Sequence, residues 1–218
     1  MIRRIWLIGF VLTGMGCGLV HAQTPDAAAP LAPAGHHCVA HVEPVQPGAQ
    51  TSLVEEGGCF ATWAEALAVA TDGEVRVDPK TQPHELTPAM FERFATARRT
   101  IIAVDYADAH FEGVTLTWYA DYGCAPGVLF NPNRMPEGWN DRASSVGGAG
   151  GCEHQFLYEH IDFNAHQRGL VAECHPQCEG FRLMENKTSS RIMADYCRPA
   201  GQWIAPVALH TMRAPEGC

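Results

Sequence analysis

With 218 residues, 46% of them hydrophobic and 18% charged, the chain has the composition of a folded protein and the length for one domain or a domain with an appendage. Its net charge of −9 excludes the electrostatic footprint that binding to nucleic acid or to an anionic lipid surface requires. Arg98-Arg99 is the only adjacent basic pair after residue 22, so no local cluster restores either reading.

Residues 1–22 read as a signal peptide: Arg3 and Arg4, an apolar run from Ile5 to Val20, and a small-residue cleavage site at Val20-His21-Ala22. The run is too short and too broken by glycine for a membrane span. Gly14-Met15-Gly16-Cys17 resembles a bacterial lipoprotein signal but lacks the leucine three residues before the cysteine, so membrane attachment is expected only if Cys17 is lipidated. Losing Arg3 and Arg4 takes the net charge from −9 to about −11. The expected location is secreted or periplasmic.

Residues 23–50, rich in Ala, Pro and Gln, read as a flexible leader. His36, His37 and His41 lie within it with no rigid element to fix them around a metal, and read as solvated. Residues 51–99 carry helix signals. Thr62 is placed to cap a run in which Trp63, Leu67 and Ala70 share a face, and Asp72-Gly73 closes it before a short strand at Glu74–Val77. A second helix is expected from Thr87, with Pro88 at its first position and Met90, Phe91 and Phe94 along one side. A segment of about 40 residues rarely builds its own core, so this one is expected to pack on the β-rich half of the chain.

From Thr100 the period changes to two. Ile101–Val104 reads as a buried strand, and Val114, Leu116 and Trp118 alternate with Thr115, Thr117 and Tyr119. Turn signals stand at Asp121–Gly123, Asn131–Asn133 and Gly147–Gly151, with further strands near Gln155–Tyr158 and Gly169–Cys174. The tail, 198–218, holds a candidate closing strand and a terminal cysteine.

Of nine cysteines, Cys17 belongs to the signal, leaving Cys38, Cys59, Cys124, Cys152, Cys174, Cys178, Cys197 and Cys218. An even set of eight in an exported chain implies up to four disulfides. Expected pairs are Cys38 with Cys59, Cys124 with Cys152, and Cys197 with Cys218. The run Cys174-His175-Pro176-Gln177-Cys178 has zinc-ligand residue types, but export favours disulfide bonding.

Two six-residue stretches organise the second half. Asn140-Asp141-Arg142-Ala143-Ser144-Ser145 is echoed 45 residues later by Glu185-Asn186-Lys187-Thr188-Ser189-Ser190. Upstream of the first stand Tyr106, Phe111 and Gly113, and upstream of the second Tyr158, Phe163 and Ala165, offset by 52 residues. Such duplication predicts two structural repeats sharing a core. The side chains are hard oxygen donors suited to Ca²⁺, which takes about 6–8 oxygens, more than one stretch supplies. Asn-Asp and Ser-Ser are also turn formers in their own right.

The pairing of aromatic-x-x-x-x-aromatic-x-Gly with (N/D)(N/D)xx(S/T)S resembles the βγ-crystallin family, in particular its secreted bacterial relatives. The resemblance covers about residues 100–197 and departs from the pattern at Ala165 and Glu185. It implies a mainly β fold, in which two Greek-key motifs form a sandwich beside the small N-terminal helical segment. It also implies a paired Ca²⁺ clamp, with Asn140, Asp141 and Ser144 as ligand candidates from the first stretch and Glu185, Asn186 and Ser189 from the second. Each stretch would lend oxygens to both sites, backbone carbonyls of the hairpins would complete them, and affinity would fall near the 10⁻⁴–10⁻³ M of extracellular modules. Tyr106, Phe111, Tyr158 and Phe163 are expected as core beneath folded-over hairpins. Gly113 would supply the positive φ of the first hairpin, and Asn164 or Gly169 would replace it in the second.

No catalytic residues are assigned. Ala143-Ser144-Ser145-Val146-Gly147 lacks the first glycine of a nucleophile elbow and its strand-turn-helix setting. His110, His154, His160, His166 and His175 pair by spacing with no nucleophile. The expected function is a non-enzymatic, weakly Ca²⁺-binding protein. The alternatives are an inhibitor of an extracellular metalloproteinase, with Cys124–Trp139 as its exposed loop, and a toxin or module binding a cell-envelope component.

Overall fold

The computed structural model describes residues 37–85 and 98–195, with Met90, Arg93 and Phe94 between them. The signal segment, the leader to residue 36 and the tail with Cys197 and Cys218 lie outside the described residues. In chain order the elements are β1 (His37–Val42), β2 (Val54–Phe60), α1 (Trp63–Ala70), β3 (Thr100–Tyr106), β4 (Thr115–Ala120), β5 (Leu129–Phe130), β6 (Ser145–Gly148), β7 (His154–Tyr158), β8 (Val171–Cys174), β9 (Gln177–Cys178) and β10 (Ser190–Ala194).

They form two sheets, one ordered β2-β1-β4-β3-β6-β9 and the other β5-β10-β7-β8. All pairings among the described residues are antiparallel except β1 with β4. The duplication is visible in this order. Of the four strands β3–β6, the third lies in the smaller sheet; of β7–β10, the third lies in the larger one.

Apolar residues settle into three layers. Between the sheets sit Ile102, Leu116, Trp118, Phe130, Trp139, Leu157 and Met193. On the outer face of the larger sheet, α1 buries Trp63, Leu67 and Ala70 against Val39, Ile101, Val104 and Tyr119. A smaller outer cluster of Phe156, Tyr158, Phe163 and Ile192 covers the other sheet. β3 is thus covered on both faces, which is why its seven residues are all buried and Ile101–Val104 reads as a continuous apolar run.

The helix begins where its cap chemistry places it. Thr62 Oγ1 accepts from Glu65 N at 3.2 Å while the Glu65 carboxylate accepts from Thr62 N at 3.0 Å, a reciprocal capping box. Met90, Arg93 and Phe94 are helical as expected, and Phe94 is buried.

Three expectations need correction. Residues 37–42 are not leader but β1, which lies inside the larger sheet between β2 and β4. Cys38, Ala40 and Val42 point to the inter-sheet core and Val39 to the helix side. Six residues show too little alternation to announce a strand, and the parallel partner that seats it inside the sheet, β4, lies far along the chain. The nominally helical 51–99 segment opens with β2, and Glu74–Val77 is a bend followed by irregular chain, not strand. Gly147 and Gly148 are strand residues of β6 rather than a turn. A Cβ on Gly148 would stand 2.4 Å from the Cys152 carbonyl oxygen, so glycine is there to let backbones approach.

Three disulfides are present among the described residues: Cys38–Cys59 across β1 and β2, Cys124–Cys152, and Cys174–Cys178, which joins β8 of one sheet to β9 of the other. They suit an oxidising, extracellular environment. No helix among the described residues is long and apolar enough to cross a membrane.

Candidate metal centre

Each repeat carries a hairpin folded over its own aromatic pair. After β3 the rings of Tyr106 and Phe111 meet edge-on, 5.4 Å apart; after β7, Tyr158 and Phe163 meet the same way at 5.6 Å. The first hairpin takes positive φ at His110, Phe111 and Gly113, the last at +79°. The second takes it at Asp162, Phe163 and Asn164, while Ala165 relaxes to −61°. Asn164 therefore does the conformational work of the missing glycine, since a short amide tolerates the left-handed region. Its Oδ1 accepts from His160 N at 2.9 Å and its Nδ2 donates to Leu170 O at 3.1 Å. Gly169 serves another end, because a Cβ there would meet Asn164 Oδ1 at 2.6 Å.

The last serine of each stretch pins its hairpin. Ser145 Oγ donates to Asp108 O at 2.7 Å and accepts from Phe111 N at 3.1 Å. Ser190 Oγ donates to His160 O at 2.7 Å and accepts from Phe163 N at 3.1 Å. The geometry repeats from one copy to the next.

The two stretches lie side by side and bond reciprocally. Asp141 N donates to Thr188 O at 3.0 Å, and Asn186 N to Ala143 O at 3.1 Å. Ser144 Oγ donates to Asn186 Oδ1 at 3.2 Å. Ser189 Oγ stands 3.1 Å from Asp141 Oδ1 and 2.8 Å from Glu159 O. Asp141 and Asn186 occupy matching left-handed positions, φ +56° and +54°. That backbone accounts for Asp or Asn at these positions without a ligand; it does not account for the serine facing each of them from the other loop.

The two crossings differ chemically. In the Ser144–Asn186 pair one donor meets one amide acceptor. At Ser189 a single hydroxyl proton faces two acceptors, a carboxylate and a carbonyl, so three oxygens converge with lone pairs to spare. A hard cation would satisfy them. Asp141 Oδ2 accepts from Asn140 Nδ2 at 2.7 Å, which orients the carboxylate. A cleft at this point is lined by Asn140, Asp141, Glu159, His160, Asn186, Lys187 and Ser189. Ser144 and Glu185 do not line it, and the Glu185 carboxylate lies beside Gly180 instead. Of the six candidates, then, four share this cleft.

Its charges are mixed, with the Asp141 and Glu159 carboxylates set against the Lys187 ammonium. The Leu170 backbone N–H, donating at 2.8 Å, holds the Glu159 carboxyl below its ordinary range, with Lys187 adding to the effect. The Lys187 ammonium lies 3.7 Å from Glu159 Oε1 and competes with an incoming ion. Asp141 Oδ1, Ser189 Oγ and the Glu159 carbonyl fit Ca²⁺ by donor type, and water would have to supply much of its shell.

No family model matches this chain. No curated protein and no solved structure matches it either. The site therefore rests on its own geometry.

Two features lay outside the sequence reading. The pinning role of Ser145 and Ser190 was within reach, because both belong to the duplicated stretches. Glu159 enters through its backbone carbonyl, which carries no residue-type signal. Its only trace is its place directly after the aromatic Tyr158.

Proposed function

We propose that residues 100–194 form a pair of βγ-crystallin-like Greek keys, and that the protein is a secreted or periplasmic, non-enzymatic Ca²⁺-binding module. The exchange of β5 and β9 between the sheets supports the Greek-key reading, since in each repeat the fourth strand returns beside the first. The pinned hairpins support the family resemblance in both copies.

The convergence of Asp141 Oδ1, Ser189 Oγ and the Glu159 carbonyl, contributed by two loops and a hairpin, carries the metal reading. Ca²⁺ held there ties the first stretch to the second repeat, and stabilises the fold because it binds the native state alone. The Ser144–Asn186 crossing offers only neutral oxygens and binds more weakly.

Calorimetric titration of the mature protein with Ca²⁺ tests this. One dominant site with Kd of about 10⁻⁴–10⁻³ M is expected. At free Ca²⁺ about tenfold above Kd, stability should rise by roughly 1.4 kcal/mol, read as a higher melting temperature. Asp141→Ala with Ser189→Ala should abolish both signals, and Ser144→Ala with Asn186→Ala should leave most of the heat. Absence of heat and of any melting shift at about 10 mM Ca²⁺ refutes the proposal.

A further inference from the structure

We infer that His154, Glu173 and His175 form a second metal site, built for a borderline divalent cation such as Zn²⁺ and independent of the Ca²⁺ loops. One potential ligand atom from each of the three lies within 4.8 Å of the others. Glu173 Oε1 is 2.9 Å from His175 Nε2 and 3.6 Å from His154 Nδ1. Tetrahedral Zn²⁺ with Zn–N of roughly 2.0–2.1 Å requires ligand atoms about 3.3 Å apart, and these two distances bracket that value. Small side-chain rotations would bring the three into range without moving a strand.

Rigid elements supply the placement. β7 and β8 pair Gln155 with Cys174 and Phe156 with Glu173. One step further along that register, His154 stands opposite His175, so all three side chains belong to one face at one end of the sheet. The two imidazole rings meet edge-on with centroids 3.9 Å apart. His154 lies over Phe156 at 6.0 Å in a nearly parallel stack. Between the two outer-face ligands, Cys174 points the other way into the inter-sheet core and is bonded to Cys178, which holds that end of β8 in place.

Donor type decides the metal. Two imidazoles and one carboxylate are poor partners for Ca²⁺, which takes oxygen, and good ones for Zn²⁺, Cu²⁺ or Ni²⁺. Three protein ligands leave a fourth position for water or for a donor from a binding partner. His154 forms the buried wall of the site, while Glu173 and His175 are open to solvent, which provides the route of entry.

The full mature chain should be titrated with Zn²⁺ by calorimetry, and with Co²⁺ as a spectroscopic probe whose visible bands report four-coordinate geometry. Binding of one Zn²⁺ and appearance of those bands are expected. His175→Ala and Glu173→Gln, both on the exposed side, should each weaken binding by on the order of 10-fold or more. Asp141→Ala should leave Zn²⁺ binding unchanged, separating this site from the Ca²⁺ reading. His154→Ala also removes a packed ring, so the two exposed variants carry the test, with melting curves confirming that they fold. No Zn²⁺ binding, or binding undiminished in both variants, overturns the inference.

Discussion

At the scale of single residues, the two pinning serines control more structure than their size suggests. Each buried hydroxyl joins two backbone groups that the hairpin would otherwise leave unpaired, and such groups cost about 1–3 kcal/mol each when orphaned. Ser145→Ala and Ser190→Ala should each destabilise by about that amount in urea melts, and by similar amounts because the geometry is the same. A near-zero effect at either site would contradict the pinning role. Glu159 supplies a pH prediction. Its folded-state pKa is lowered, so its contribution to stability is present above the ordinary carboxylate value of 4.5 and is lost as pH falls below it. Glu159→Gln should flatten the fall in melting temperature on that acid side, and an unchanged slope would disprove the assignment. The positive-φ residue of the second hairpin, by contrast, was only half legible. Ala165 showed that the glycine was missing, but the choice between Asn164 and Gly169 needed the backbone.

At the scale of elements, β3 and β10 belong to different sheets and are joined by a buried ion pair. Arg191 is fully buried and donates through Nη1 to Asp105 Oδ2 and through Nη2 to Gln155 Oε1, while Trp118 Nε1 donates to the same Asp105 oxygen at 2.7 Å. Burial pushes the Asp105 carboxyl up, and Arg191 and Trp118 oppose that rise. Removing one partner leaves a charge without compensation in the core. Arg191→Met should cost about 3–5 kcal/mol, and the double change Asp105→Leu with Arg191→Met should cost much less than the sum of the two single changes. Denaturant melts over the full cycle test this, and additivity would show that the two groups are not coupled. No sequence pattern announced this pair, because an arginine in an alternating strand reads as an outward residue until its partner across the sandwich is known.

At the scale of the molecule, the disulfides divide by the length of chain they close. Cys38–Cys59 and Cys124–Cys152 span 21 and 28 residues, Cys174–Cys178 only 4. On chain entropy alone the long pair Cys124–Cys152 contributes about 3–4 kcal/mol and the short one about 2. Cys124→Ala with Cys152→Ala should therefore lower stability more than Cys174→Ala with Cys178→Ala. The reverse order would mean that the short bridge acts mainly by holding the two sheets together. Cys38–Cys59 locks β1 to β2 across the register, and the parallel pairing of β1 with β4 seats that hairpin in the larger sheet.

Features that are local or repeated could be read from the residues alone. The helix start at Thr62 follows from capping chemistry, the period-two strands from side-chain alternation, and the two repeats from the duplicated stretches; that the stretches lie side by side was implied only by the family resemblance. Cys38–Cys59 and Cys124–Cys152 were legible from their place along the chain; for Cys174 and Cys178 the oxidising compartment implied disulfide bonding but not that they pair with each other. Tertiary structure alone decided that residues 37–42 form an interior strand, that Asp105 and Arg191 meet, that Glu185 turns away from the cleft while the Glu159 carbonyl enters it, and that His154 faces His175. Each of these depends on which distant strand lies alongside. That choice is made by the summed burial of a whole sheet face, which no short window of sequence contains.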